Sequence, residues 1–317
     1  MAGAGRVVGV PARHLIRAGY LAADGFAEPL AEELARYAVP VEAWHGRLAL
    51  SPAPPIEAVW AEDTWTEPVE TSISSVKDAA DALRAVQRNW AAYVPALHRR
   101  TALIEARLPP VAARPLVFPA AAPASHLGAW TLLAVDRLLF SARKTSPVPN
   151  GVMLFDEDHL GPPSRAYLKL WEALTWIGEH PSPGARCIDL GAAPGGWTWV
   201  LASLGARVVA VDKAALEPRV ATMAGVTTRQ ESAFGLPPEP ADWLFSDVVA
   251  YPERLLALVR NWIDAAVVAR IVCTVKLQGA TDHAAVAAFA AIPGGRLRHL
   301  HANKHELTFH WRRPQRQ

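Results

Sequence analysis

One stretch constrains the fold of this chain more than any other: residues 187–199, which read C-I-D-L-G-A-A-P-G-G-W-T-W. It begins as a short apolar run, Cys187, Ile188 and Leu190, of the kind that makes a buried parallel strand. Gly191 and then Pro194-Gly195-Gly196 break the run, and Trp197 resumes an apolar pattern at helical spacing as far as Leu204. Strand, glycine turn, helix is the geometry that turns backbone N–H groups and a helix N-terminus toward a bound nucleotide. A second apolar run, 206–211, ends in Asp212, about 20 residues beyond Gly191, where a nucleotide-binding sheet sets a carboxylate on ribose hydroxyls. A glycine turn by itself also serves purely structural ends. The acid at this distance and the Pro-Gly-Gly-Trp wording favour a cofactor, and the spacing is not the dinucleotide pattern G-x-G-x-x-G.

Strand and helix alternate through the second half, the pattern of a doubly wound, mostly parallel sheet. Strands are expected over 187–190, 207–211, 243–246 and 271–276, with an antiparallel end near 296–301 and 306–311. Helices are expected over 165–179, 198–203, 252–269 and 282–291. The first half reads as a smaller α+β unit. It opens strand, helix, strand, with a helix over 25–37 whose apolar face carries Phe26, Leu30, Leu34 and Ala35. A proline-rich link at 51–55 follows, and Trp60 and Trp65 flank an acidic patch. A long helix is expected over 75–96, capped by Ser74 or Ser75 with Asp78 in its first turn. Prolines and alanines at 108–125 suit an extended connector, and 130–135 and 137–141 read as a hairpin or one bent strand. The polar segment at 143–155 marks the boundary, which divides the chain into residues 1–145 and 146–317.

Composition narrows the class. The 317 residues, 51% hydrophobic and 20% charged, describe a globular chain long enough for two domains. No apolar run is long enough for a membrane span, and the N-terminus lacks a signal peptide's apolar core, so a cytoplasmic protein without membrane contact is expected. Cys187 and Cys273, the two cysteines, lie in apolar runs and read as reduced core residues. No metal-ligating constellation is visible. A net charge of +2 does not announce a nucleic-acid binder. The end of the chain is locally basic, with Arg296, Arg298, Lys304, Arg312, Arg313 and Arg316 against Glu306. Such a tail can contact phosphates or simply be solvated. The same two readings apply to Lys77, Arg84, Arg88, Arg99 and Arg100 on and beyond the long helix.

Four ionisable residues stand where elements start or end near the expected cofactor edge. Lys169 lies in P-S-R-A-Y-L-K-L on the helix before the glycine strand; Asp247 follows the next strand in L-F-S-D-V-V. Lys276 ends a strand in V-C-T-V-K-L, and Glu306 stands in K-H-E-L-T-F-H-W. In open α/β sheets ligands bind at the carboxyl ends of strands, which favours Asp247 and Lys276. Asp247 could instead cap the helix after it, and Lys169 and Glu306 taken singly are ordinary surface residues. Lys276 at the end of an apolar strand must snorkel or find a partner.

Together these residues resemble a known family. D-L-G-A-A-P-G-G-W looks like motif I of S-adenosylmethionine (SAM) methyltransferases, specifically the FtsJ-like ribose 2'-O-methyltransferases. That family carries a Lys-Asp-Lys-Glu tetrad, for which Lys169, Asp247, Lys276 and Glu306 are candidates in the same order. S-R-A-Y-L-K-L-W-E-A, D-W-L-F-S-D-V-V and T-V-K-L resemble one branch, the bacterial large-subunit rRNA cytidine 2'-O-methyltransferases. The resemblance covers about residues 160–312. It implies a Rossmann-like SAM-dependent methyltransferase domain preceded by a THUMP-like RNA-binding region, with RNA, in particular large-subunit rRNA, as partner. Ala166 stands where the branch tends to have a serine touching the cofactor, and Ser232 where an acid usually faces adenine, with Glu231 adjacent.

The implied reaction is attack of a ribose 2'-hydroxyl on the methyl of SAM, so the protein must align the oxygen and accept its proton. A lysine of ordinary pKa, about 10.4, is charged at neutral pH and acts as a base only where another ammonium and burial favour its neutral form. The resemblance assigns the proton-acceptor role to Lys276. It places Gly191, Ala193, Pro194, Gly195, Gly196 and Trp197 around the cofactor's amino-acid end, Asp212 on its ribose hydroxyls, and Ser232 and Asp247 at the remaining cofactor contacts. A NAD-linked oxidoreductase fits the strand–Gly–helix–acid layout but not Pro-Gly-Gly-Trp or the late Lys and Glu. A SAM-dependent enzyme with another substrate, or an RNA-binding or assembly factor that keeps the fold without turnover, are the remaining alternatives; the tetrad speaks against both.

Overall fold

A computed structural model describes residues 15–111 and 114–314; Arg316 and the first residues of the expected opening lie outside this range. The described part of the first half holds two small sheets with helices. In the first, β1 (Ala18–Ala22), α1 (Ala27–Arg36), β2 (Ala43–His45), β3 (Leu48–Ser51) and β4 (Ala61–Trp65) give an antiparallel sheet ordered β2-β3-β1-β4. Helix α1 buries Leu30 and Leu34, with Glu28 in its first turn and Arg36 in its last, the charge order a helix dipole favours. The acidic patch between Trp60 and Trp65 is buried. Glu62 and Asp63 lie buried on β4, and Asp63 receives the ammonium of Lys144 at 2.8 Å.

The second small sheet is ordered β5-β8-β7-β6 and is built from β5 (Pro68–Ser72), α2 (Val76–Val86), β6 (Trp90–Ala92), α3 (His98–Glu105), β7 (Gly128–Ala134) and β8 (Arg137–Ser141). Ser75 caps α2 by accepting the Asp78 N–H at 3.1 Å, as its sequence predicts. The expected run of this helix to Ala96 is corrected: α2 stops at Val86, because Trp90 buries its ring beside α2 and pairs with β7. The Trp90 indole donates to the Leu83 carbonyl at 3.0 Å. Arg99 and Arg100 consequently sit on the separate helix α3. β7 and β8 form the hairpin alternative.

The second half is a Rossmann-like α/β layer. In chain order it runs α4 (Tyr167–Ile177), β9 (Arg186–Leu190), α5 (Gly196–Ser203), β10 (Arg207–Asp212), α6 (Pro218–Ala221), β11 (Val226–Gln230), β12 (Ala241–Ser246), α7 (Pro252–Asp264), β13 (Val268–Lys276), α8 (His283–Ala290), β14 (Gly295–Arg298) and β15 (Glu306–Arg312). The sheet order is β11-β10-β9-β12-β13-β15-β14, parallel from β11 to β13 and closed by antiparallel β15 and β14. The expected strands all form. Sequence patterning missed α6 and the exposed edge strand β11, whose residues show little apolar alternation. It also carried two elements too far: α7 ends at Asp264, before left-handed Ala266 turns the chain into β13, and β14 ends at Arg298.

The chain winds outward from β9 through β10 to β11, then returns to start β12 on the other side of β9. This reversal is the switch point at which open α/β sheets leave a crevice at the carboxyl ends of their strands. Gly191, Asp212, Asp247 and Lys276 all follow or end the strands that meet there. Antiparallel β15 brings its first residue to the same edge, with Glu306 opposite Lys276.

The two halves on either side of residues 143–155 pack against each other. Tyr20, Leu30 and Trp60 of the first half share one apolar core with Leu255, Trp262 and Phe289 of the second. Trp60, fully buried, has its ring 5.5 Å from Phe26 and 5.2 Å from His299. Trp60→Ala should therefore lower stability by about 3–5 kcal/mol, the cost of emptying a tryptophan site in a core. Denaturant unfolding measures this; a loss below about 1 kcal/mol would mean the two halves are not held by this contact.

Candidate active site

The glycine loop that leaves β9 is shaped by close approach. Gly191 has φ +79°, and a Cβ there would lie 2.8 Å from the Cα of Val248 in the loop after β12. The two loops can cross only because position 191 has no side chain. Gly195, φ +116°, caps α5, and a Cβ on Gly196 would lie 2.7 Å from the Ser164 hydroxyl. Asp212 holds this loop from the end of β10: its carboxylate accepts the N–H of Ala193 at 3.0 Å and of Ala214 at 2.9 Å. Beside the loop lies a cavity of about 210 Å³ lined by Gly191, Asp212, Ser232, Phe234, Val248 and Arg254. Glu231, adjacent to Ser232, is exposed and does not line it.

Trp197 is buried, and its indole donates to the Ala166 carbonyl at 2.9 Å, which ties α5 to the start of α4. Ser164 was not singled out by the sequence, yet its buried hydroxyl faces Gly196 and has no hydrogen-bond partner among the described residues. Its only signal is its place in P-S-R-A, two residues ahead of Ala166.

The four ionisable residues converge from four elements. Lys169 Nζ stands 3.0 Å from a carboxylate oxygen of Asp247 and 3.0 Å from Glu306 Oε1. Lys276 Nζ stands 2.9 Å from Asp247 Oδ1 and 3.8 Å from Glu306 Oε2. Thr274 donates to Asp247 Oδ1 at 2.5 Å. Burial pushes the Asp247 carboxyl up, but the two ammonium groups draw it below the ordinary carboxylate range. Burial likewise works against the charge on Lys169, while Asp247 and Glu306 raise its pKa above the usual lysine value. Lys169 is thus a fixed cation between two carboxylates. Lys276 has a single close carboxylate, Asp247, and is the less tightly held of the two ammonium groups.

The cluster opens into a cleft of about 670 Å³ lined by Lys169, Lys276 and Glu306 with Phe155, Arg165 and His301. A crevice with a rigid ion cluster at one wall and a glycine loop beside it can position a nucleophile against a bound electrophile and take a proton from it. Cys187 and Cys273 lie buried and free in the strands below, where burial pushes both thiols up. Among the described residues no helix is long and apolar enough to cross a membrane.

Comparison with known proteins bears on this half of the chain. Residues 162–284 match the FtsJ-like methyltransferase family. The chain is 44% identical over 105 residues to the ribosomal RNA large subunit methyltransferase M of Halorhodospira halophila, covering 32% of this chain and 31% of that protein. The protein of the same name from Alkalilimnicola ehrlichii is 41% identical over 122 residues, 36% of this chain and 34% of that one. The one from Aromatoleum aromaticum is 36% identical over 162 residues, 46% and 44% of the two chains. The matched stretches therefore span between about a third and under a half of these relatives' own lengths.

Proposed function

We propose that the FtsJ-like methyltransferase domain which the chain carries over residues 162–284 moves the methyl group of SAM to a ribose 2'-hydroxyl of RNA, with a cytidine of large-subunit rRNA as the target. The observation that carries this reading is the closed cluster of Lys169, Asp247, Lys276 and Glu306 at the sheet edge that also bears the glycine loop. The relatives' shared name supports the rRNA substrate.

The residues present fit the cofactor. Gly191, Ala193, Pro194, Gly195 and Gly196 would enclose its amino-acid end, where the unpartnered Ser164 hydroxyl is available. Asp212 would take the ribose hydroxyls; a carboxylate has about four lone-pair sites, and its two backbone bonds leave acceptors free. Ser232, Phe234 and Val248 would surround the adenine. Bound there, SAM supplies a methyl carbon on a sulfonium, whose departure as a neutral sulfide calls for no acid. Lys169, Asp247 and Glu306 form an ionic frame that fixes Lys276 Nζ at the cleft. In its neutral form Lys276 would accept the proton of a 2'-hydroxyl placed at the cleft.

For the first half we propose an RNA-gripping role. The unit around β5 to β8 is the THUMP-like part, and Arg99 and Arg100 on α3 are its phosphate contacts. Residues 1–145 and 146–317 then divide into substrate-holding and methyl-transferring parts of a cytoplasmic protein.

The test of the whole reading is transfer of labelled methyl from SAM to rRNA isolated from a strain lacking the gene, with mass mapping of the product. Methyl on a cytidine ribose oxygen is expected; methyl on a base, or on no RNA, overturns it. Asp212→Ala tests the cofactor site separately. It should weaken SAM binding by roughly 1–3 kcal/mol, the usual cost of losing a charged hydrogen-bond acceptor. Calorimetric titration with SAM, and with NAD as control, is the measurement; parental affinity in the variant, or preference for NAD, sinks the assignment.

A further inference from the structure

We infer that the turn at residues 299–303 is a positioning strap through which α4 and the first half of the chain jointly set Glu306 against Lys169, an inference that rests on the proposed methyl transfer. The turn joins β14 to β15, and the backbone N–H groups of all five residues have partners. His299 donates to the Val59 carbonyl at 2.7 Å, and Leu300 to the Asn303 side chain at 2.8 Å. His301 and Ala302 donate to the two oxygens of Glu172, each at 2.7 Å. Asn303 closes the turn on the Leu300 carbonyl at 2.9 Å.

Glu172 lies three residues after Lys169 on α4, a spacing that puts both on one helix face. Lys169 holds the Glu306 carboxylate at 3.0 Å while Glu172 holds the backbone at His301 and Ala302. One helix therefore grips the segment 301–306 at both ends. The first half grips the same segment from outside. Glu62 on β4 stands 3.3 Å from the His301 ring nitrogen, and Arg298 donates to the Glu62 carbonyl.

The choice of a carboxylate for this grip is informative. Glu172 is 2% exposed, and its oxygens are taken by backbone N–H groups rather than by a lysine or arginine. Burial pushes its carboxyl up to about 7 against the pull of those two N–H groups. A neutral side chain would cost less to bury, but an ionised carboxylate offers each of the two neighbouring N–H groups an oxygen of its own. An amide would accept one and turn its own N–H₂ on the other. Glu172 is a positioning residue: it touches neither of the groups that exchange the methyl.

Glu172→Gln in the full chain tests this. Single-turnover methyl transfer should fall about 10–100-fold, the usual cost of a small misplacement at a reacting centre, while the dissociation constants for SAM and rRNA stay within about threefold. Amide exchange at His301 and Ala302 should accelerate. The ratio of the parent's transfer rate to the variant's should shrink as the pH falls through about 7, where the Glu172 carboxyl takes up its proton. The groups facing Glu172 are His301, Glu62, Arg298 and, on its own helix, Lys169, and all remain in the variant. A parental transfer rate in Glu172→Gln overturns the inference. If that variant does not fold, Glu62→Gln, which leaves α4 intact, decides in the same way. A parent that methylates no RNA would instead sink the proposed function, and exchange at His301 and Ala302 would then still judge the strap.

Discussion

Lys276→Ala is expected to slow methyl transfer to RNA by at least about 10²–10⁴-fold, the range for a lost general base. Lys276 ends β13 with its ammonium 2.9 Å from Asp247, and the three other members of its cluster come from α4, the loop after β12 and β15. Removing the side chain takes away the proton acceptor and leaves the glycine loop and Asp212 as they are. SAM affinity should therefore stay within about threefold, since none of the proposed cofactor contacts involves Lys276. Lys276→Arg should be no rescue, because a guanidinium stays protonated and cannot act as a base. Single-turnover transfer to rRNA beside a SAM titration measures both. An arginine variant at full rate would show that the position needs only positive charge, and the base role would have to be given up.

Asp247→Asn should do comparable damage by a different route. Asp247 stands between two ammonium groups and accepts from Thr274, so its charge is what lets Lys169 and Lys276 lie in one partly buried cluster. Without that charge the lysines share only Glu306, and the cluster should spread. Transfer is expected to fall on the order of 10²-fold from misplacement alone. Stability should drop by about 3–5 kcal/mol, the cost of breaking a buried ion pair on one side. The pH dependence follows from the directions of the shifts. The lowered carboxyl of Asp247 contributes stability above its ordinary value of about 4, lost as the pH falls through its folded value. The raised ammonium of Lys169 contributes stability below the ordinary lysine value, lost as the pH rises through its folded one. The stability gap between parent and Asp247→Asn should thus be level across neutral pH and close in acid. A variant as stable and as active as the parent would mean the four residues do not work as a unit.

Much of the second half was legible in the residues because its signals are local. The apolar run into Gly191, the glycines at 195 and 196, and the acid ending β10 lie within one βα unit and its next strand, and each acts through its own backbone conformation or spacing. The order Lys169, Asp247, Lys276, Glu306 was legible as a resemblance. Only the fold could set their ammonium and carboxylate groups within 3.8 Å, because the pairing of β13 with antiparallel β15 puts Glu306 opposite Lys276.

What the residues left undetermined depends on partners distant in the chain. Trp90 reads as the continuation of a helix until β7, some forty residues later, offers it a strand to pair with. Glu62 and Asp63 read only as an acidic patch between two tryptophans; the fold buries them against Lys144 and Arg298. That the Trp197 indole donates to the Ala166 carbonyl, and that Ser164 faces Gly196, shows only in the fold. Glu172 reads as one more polar residue on a helix until two backbone N–H groups from residues 301 and 302 reach it. Local sequence determined which elements form and where their turns need glycine, because those preferences act within a few residues. The tertiary structure alone decided which charges are buried, which are paired and which half of the chain holds the other, because desolvation and hydrogen bonding are settled by whatever packs alongside.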